Sequence, residues 1–196
     1  MIKDFKKTAI VTSQGEISYR SMLQHIDHFA THTPKGADKK TIIFSENREG
    51  WIYAFFSIWK NGGIAIPVDA SSTAQDLAYI LKDSGSQCIW TSDEHIQVVQ
   101  EAISLSGAQV RMLNIDNYEN AGIPESGECA PEPSTWSRRE EDTAVIIYTS
   151  GTTGKSKGVI LSQNNICADA RHCITFVHIY GKTIALLPFH HTFAFT

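Results

Sequence analysis

The sequence predicts an α/β fold, a mostly parallel sheet with helices on both faces, and three observations carry that prediction. Short runs rich in Val and Ile alternate along the chain with segments of helical period. Several of those runs, Thr41–Phe44 among them, are almost wholly apolar, as a strand covered on both faces reads. With 42% of its 196 residues hydrophobic, the chain can bury a sizeable core.

The elements follow in order. Ala9–Val11 and Ile17–Tyr19 flank Ser13-Gln14-Gly15-Glu16 and read as a hairpin. Ser18 is placed to cap a helix whose apolar stripe is Met22, Leu23, Ile26 and Phe29. After the strand Thr41–Phe44, Glu49–Lys60 is apolar almost all round, which predicts a core helix ended by Asn61-Gly62-Gly63. The aromatics Trp51, Tyr53, Phe55, Phe56 and Trp59 read as core. Ile64–Val68 is a strand, and Thr73 caps a helix with Leu77, Ile80 and Leu81 before Gly85. A strand at Cys88–Trp90, a helix at Asp93–Ser104 and a strand at Val110–Ile115 continue the alternation. Residues 117–142 hold three prolines and no periodicity, and read as a surface connection. Strands are expected at Thr143–Tyr148 and Gly158–Leu161, a helix from about Gln163, and a strand at Thr183–Leu187.

Composition removes several functions. The net charge of −4 and pI near 6.0 leave no case for nucleic acid or an anionic membrane surface as partner. The most apolar stretch, Trp51–Trp59, is far short of the ~20 residues that cross a bilayer. Residues 1–7 lead into no apolar region of a secretory signal, and the four cysteines include no C-x-x-C pair. A cytoplasmic protein with reduced thiols is expected. Cys167, His172, Cys173 and His178 invite a zinc reading, but steps of five, one and five do not hold four ligands on one helix face.

The most informative segment is Tyr148-Thr149-Ser150-Gly151-Thr152-Thr153-Gly154-Lys155-Ser156-Lys157-Gly158-Val159. Its glycines let backbone N–H groups turn inward towards an anion. Its hydroxyls reach phosphate oxygens or serve as oxygen ligands for Mg²⁺. Its lysines bring positive charge to a polyphosphate. Gly154-Lys155-Ser156 mimics the end of a Walker A loop, but the first glycine of that motif would fall at position 149, which is threonine. The Walker reading fails.

Tyr148–Val159 resembles the signature Y/F-T-S-G-S/T-T-G-x-P-K-G-V of the adenylate-forming superfamily, which includes acyl-CoA synthetases, luciferases and peptide-synthetase adenylation domains. Upstream, Trp59–Asp69 resembles the family's L-K-A-G-x-x-x-V-P-L-D stretch, and Leu77–Ser84 (LAYILKDS) its continuation. Downstream, Leu187-Pro188-Phe189-His190-His191 is similar to the L-P-x-x-H motif that borders the acyl site. Ser156 departs from the signature, which has proline there, so the loop before Lys157 loses the rigidity of a fixed φ.

The resemblance implies the large N-terminal domain of an ATP-dependent acid–thiol ligase. A carboxylate would attack the α-phosphorus of ATP to give an acyl-adenylate and pyrophosphate, and a thiol, commonly that of coenzyme A, would then take the acyl group. It implies ATP contacts from Thr149, Ser150, Gly151, Thr152, Thr153, Gly154 and Lys157, with Lys157 the catalytic residue on the leaving pyrophosphate and Thr149 a Mg²⁺ ligand. His191 would border the acyl pocket, with His190 next in line. Phe189, Phe193 and Phe195 favour a fatty or aryl acid. The family's downstream Mg²⁺ glutamate, ribose-binding aspartate and C-terminal lysine have no match in these residues, so an N-terminal portion, inactive by itself, is expected. A nucleotide-binding or interaction module without chemistry, or an amino-acid adenylation domain, is the alternative.

Overall fold

The computed structural model describes residues 6–119, 139–149, 156–176, 181, 184–185 and 187–190. A two-stranded antiparallel hairpin, β1 (Thr8–Thr12) and β2 (Gly15–Ser18), leads into α1 (Tyr19–His32). The main sheet is built from β3 (Lys40–Phe44), β4 (Ile64–Pro67), β5 (Cys88–Thr91), β6 (Arg111–Asn114), β7 (Thr143–Thr149) and β8 (Lys157–Ser162). The helices between and after them are α2 (Glu49–Lys60), α3 (Ala74–Ser84), α4 (Ile96–Ser106), α5 (Ile115–Glu119) and α6 (Gln163–Phe176). The strand order is β6-β5-β3-β4-β7-β8, with every pair parallel except β7–β8.

Alternation along the strands splits the core into two layers. Ile43, Ala65, Cys88, Trp90, Val145 and Ile147 point to the side where α1, α2 and α5 contribute Phe29, Tyr53, Phe55, Ile58 and Ile115. Ile42, Phe44, Ile66, Ile89 and Ile146 point to the opposite side, against Leu77 and Leu81 of α3 and Val99 and Ala102 of α4. The expected sheet with helices on both faces is what forms. The first layer is held by rings as well as by area: Phe29 stacks on Trp90 at 4.7 Å, and Trp59 Nε1 donates to the carbonyl of Ala144 at 3.1 Å, tying α2 to β7. Trp51, Tyr53, Phe55 and Trp59 are buried, while Phe56 is only partly so.

Local signals set the helix ends. Ser18 Oγ accepts from the Ser21 N–H at 3.1 Å. Thr73 and Asp76 form a reciprocal capping box on α3, which Gly85 ends at φ 65°.

Most strand ends shift by a residue or two from the sequence reading, and four differences are larger. The helix expected at Asp93–Ser104 is a 3-10 turn, Asp93–His95, followed by α4, which runs on to Ser106 and the left-handed Gly107. The strand expected at Val110–Ile115 is shorter, because Ile115 opens α5. The connection expected at 117–142 therefore starts as helix; a five-residue element carries too few apolar positions to show a period. The strand expected at Thr183–Leu187 is not found at its described residues. Ile184 and Leu187 are 82% and 52% exposed and in no regular element; among the described residues, β8 on that edge is paired to β7 alone. Thr183 and Leu186 lie outside the described residues. No described helix is long and apolar enough to cross a membrane.

Candidate functional site

The C-terminal ends of parallel β4 and β7 open towards one mouth, the edge where ligands gather in sheets of this kind. Pro67, Asp69, Asp76, Tyr148, Thr149 and Ser156 line a cleft of about 430 Å³ there, together with His190. Thr149 ends β7 and Lys157 begins β8; they face each other as the last register pair, and both are exposed. A hydroxyl and an ammonium are thus presented at the two ends of the strands that flank the signature loop. Ser150, Gly151, Thr152, Thr153 and Gly154, the other expected ATP contacts, lie outside the described residues.

His191 also lies outside the described residues, while His190 borders the cleft, its Nε2 3.6 Å from Asp69 Oδ2. The Asp69 carboxylate also accepts from the N–H and hydroxyl of Ser71, at 2.9 and 2.8 Å. Asp69 and Asp76 make the mouth partly acidic, so a polyphosphate there needs the positive charge of Lys157 and of a cation. The oxygen donors present, the Thr149 hydroxyl and the Asp69 carboxylate, are of the kind Mg²⁺ takes.

A second, apolar pocket of about 350 Å³ lies between α2 and α6, lined by Trp51, Phe55, Phe56, Trp59, Ile166 and Phe189. Asn47 brings Phe189 to it: the Asn47 side chain donates to the Leu187 carbonyl at 2.9 Å and accepts from the Phe189 N–H at 2.8 Å. Phe189 then packs on Trp51 at 5.2 Å. The aromatic cluster of α2 is therefore core and pocket wall at once. Cys167 lines the same pocket, and Cys88, Cys167 and Cys173 are free thiols. Burial pushes the Cys88 thiol up to about 12, which keeps it protonated and inert.

A further polar cluster lies beyond the C-terminal ends of β3 and β6. Arg48 pairs with Glu46 at 2.9 Å, with Asp116 at 2.8 Å and with Glu119. Glu119 also accepts from the Gly50 N–H at the start of α2. Burial alone would raise the Glu46 carboxyl, but hydrogen bonds from Ser92 and Ser45 and the Arg48 charge hold it below the usual carboxylate range.

Sequence reasoning missed Asp69 at the cleft and Asn47 beside the apolar pocket. Asp69 stands inside Trp59–Asp69, a stretch named for its resemblance, so a signal was available; Asn47 acts 140 residues along the chain and left none.

Comparison with known proteins agrees with this fold. A human mitochondrial malonate–CoA ligase, ACSF3, is 29% identical over 94% of this chain and 33% of its own length. The nonribosomal peptide synthetase easA of Emericella nidulans is 29% identical over 92% of the chain and 2% of its own. The ATP-bound structure of MatB from Rhodopseudomonas palustris superposes with a TM-score of 0.78 at 24% identity, covering 98% of this chain and 39% of that one, which shows a shared fold. The chain spans a third or less of the length of these two curated relatives. A family model described as AMP-binding enzyme matches residues 3–196, and the chain belongs to that family.

Proposed function

We propose that this chain carries the phosphate loop of an ATP-dependent acid–CoA ligase acting on a fatty or aryl acid. The observation that carries the reading is the opposition of Thr149 and Lys157 at the two stems of the signature loop. In the reaction a carboxylate oxygen forms a bond to the α-phosphorus as the bond to pyrophosphate breaks, and a thiolate then displaces AMP from the acyl carbon. Both partners of the first step are anions, so positioning and charge stabilisation dominate the barrier. Lys157 holds the departing pyrophosphate, and Thr149 offers its hydroxyl to Mg²⁺, which would offset phosphate charge when bound. His191 borders the acyl group; His190, oriented against Asp69, lies on the phosphate side.

The acid class is supported by the aromatic surroundings of Phe189 and the apolar pocket beside it. ATP–pyrophosphate exchange in the complete protein, run over a panel of fatty, aryl, short dicarboxylic and amino acids, tests the reading. Exchange that depends on a fatty or aryl acid is expected. Exchange with amino acids alone would favour an adenylation domain of a peptide synthetase, a reading that the similarity to such an enzyme motivates. No acid-dependent exchange would favour a module without chemistry.

A further inference from the structure

One helix grips both stems of the phosphate loop. Tyr79 and Asp83 stand one turn apart on α3, on the side that meets Tyr148 and Ser156. Tyr79 Oη donates to the carbonyl of Ser156 at 3.1 Å, and Tyr148 Oη donates to Asp83 Oδ2 at 2.7 Å. The first bond fixes the peptide that leads into Lys157, and the second fixes the residue that precedes Thr149. Tyr79 and Tyr148 also pack against the second core layer, so neither ring swings freely. Burial and the bond to Asp83 hold the Tyr148 hydroxyl well above its usual range, so it remains a donor throughout the working pH range.

Position 156 is where this arrangement has its consequence. A proline there would fix φ by its ring; serine does not. We propose that Tyr79 and Asp83 are positioning residues for the loop stems, and that the Tyr79 bond to the Ser156 carbonyl supplies the restraint a proline would otherwise supply. The catalytic consequence rests on the ligase reading above; the restraint itself does not.

Amide hydrogen exchange on this chain tests the restraint directly. Tyr79→Phe should raise exchange across Lys157–Val159 by about two- to tenfold, the range expected from one lost hydrogen bond, with β3 and β5 unchanged. Ser156→Pro in the Tyr79→Phe background should restore protection, and should add little to the unmutated chain. Asp83→Asn, which keeps an acceptor, should resemble the parent more closely than Asp83→Ala at Tyr148 and Thr149. Unchanged exchange at the stems, faster exchange throughout the sheet, or no rescue by proline would each overturn the proposal. In the complete protein Tyr79→Phe should raise KM for ATP by a similar factor, with KM for the acid unmoved and proline again restoring it. Altered stem exchange with an unchanged KM for ATP would refute the positioning role. Absence of acid-dependent exchange in the unmutated protein would refute the ligase reading instead, and the hydrogen-exchange outcomes would still decide the restraint.

Discussion

Gly158→Ala is the perturbation whose effect can be worked most directly from the structure. Gly158 faces Tyr148 across the β7–β8 ladder. A Cβ at this position would stand 2.9 Å from Ile146 Cγ2 and 3.3 Å from Tyr148 Cζ. Carbon atoms settle about 3.5–4.0 Å apart, so the nearer contact has to open by about 0.6–1.1 Å. Ile146 has little room to yield, being 8% exposed in the layer under α3 and stiff at its β-branch. The Tyr148 ring could lift, at the expense of its 2.7 Å bond to Asp83, or β8 could move outward. Outward movement is the easier course, because β8 is an edge strand with Val159 and Ile160 45% and 64% exposed. That places the strain in the lower half of the usual range for overpacking, about 1–2 kcal/mol. Alanine recovers about 0.5–1 kcal/mol of backbone entropy relative to glycine in a strand. The net destabilisation is about 0–1.5 kcal/mol, a fall in Tm of up to roughly 6 °C for a chain of this size. Scanning calorimetry measures it. A melting temperature above that of the parent would show that strand propensity outweighs the clash and that the close approach of Tyr148 to Gly158 is not held as described.

Three further outcomes are expected. Lys157→Ala in the complete protein should slow acid-dependent ATP–pyrophosphate exchange by about 10²–10³-fold with little change in Tm, since the side chain begins an exposed strand end; exchange within threefold of the parent would remove Lys157 from the reaction. Arg48→Ala strips Glu46, Asp116 and the largely buried Glu119 of a shared partner, and a loss of about 2–3 kcal/mol is expected in urea unfolding, below the value for a fully buried pair because Arg48 is 22% exposed; a change under 0.5 kcal/mol would mean that water replaces the guanidinium freely. Stability should also fall with acid. His25 is held below its usual range by burial and then by His28, against a smaller pull from Glu49; His32 is lowered by burial, His28 and Arg111. Both groups therefore take up protons in the unfolded chain before the folded one, so their contribution is fully present above about pH 6.5 and is lost as pH falls below it. Urea midpoints measured from pH 8 to pH 5 check the sign, and His25→Gln should flatten the decline.

The sequence by itself determined what depends on neighbouring residues. The apolar runs named the strands, Ser18 and Thr73 marked helix starts through side chains that reach only three residues on, and Gly85 marked an end through its left-handed backbone. The family was legible for the same reason, since its signature at Tyr148–Val159 is a continuous stretch of sequence. Tertiary structure alone decided the rest. Strand order, with β5 beside β3 and β8 turned antiparallel at the edge, follows from which apolar faces pack together and leaves no trace in local period. The helical start of the segment after Ile115 is held from outside: Arg48 reaches Asp116 and Glu119 across 68 and 71 positions, and Tyr118 meets Trp90 and His32. The segment around Ile184 and Leu187 is apolar enough to read as a strand, yet its described residues are exposed and outside the sheet, because a strand needs a partner for its backbone as well as the right side chains. The contacts at the loop stems are of the same kind, with Tyr79 meeting Ser156 over 77 positions and Asp83 meeting Tyr148 over 65; only the tertiary placement of α3 beside them brings those groups within reach.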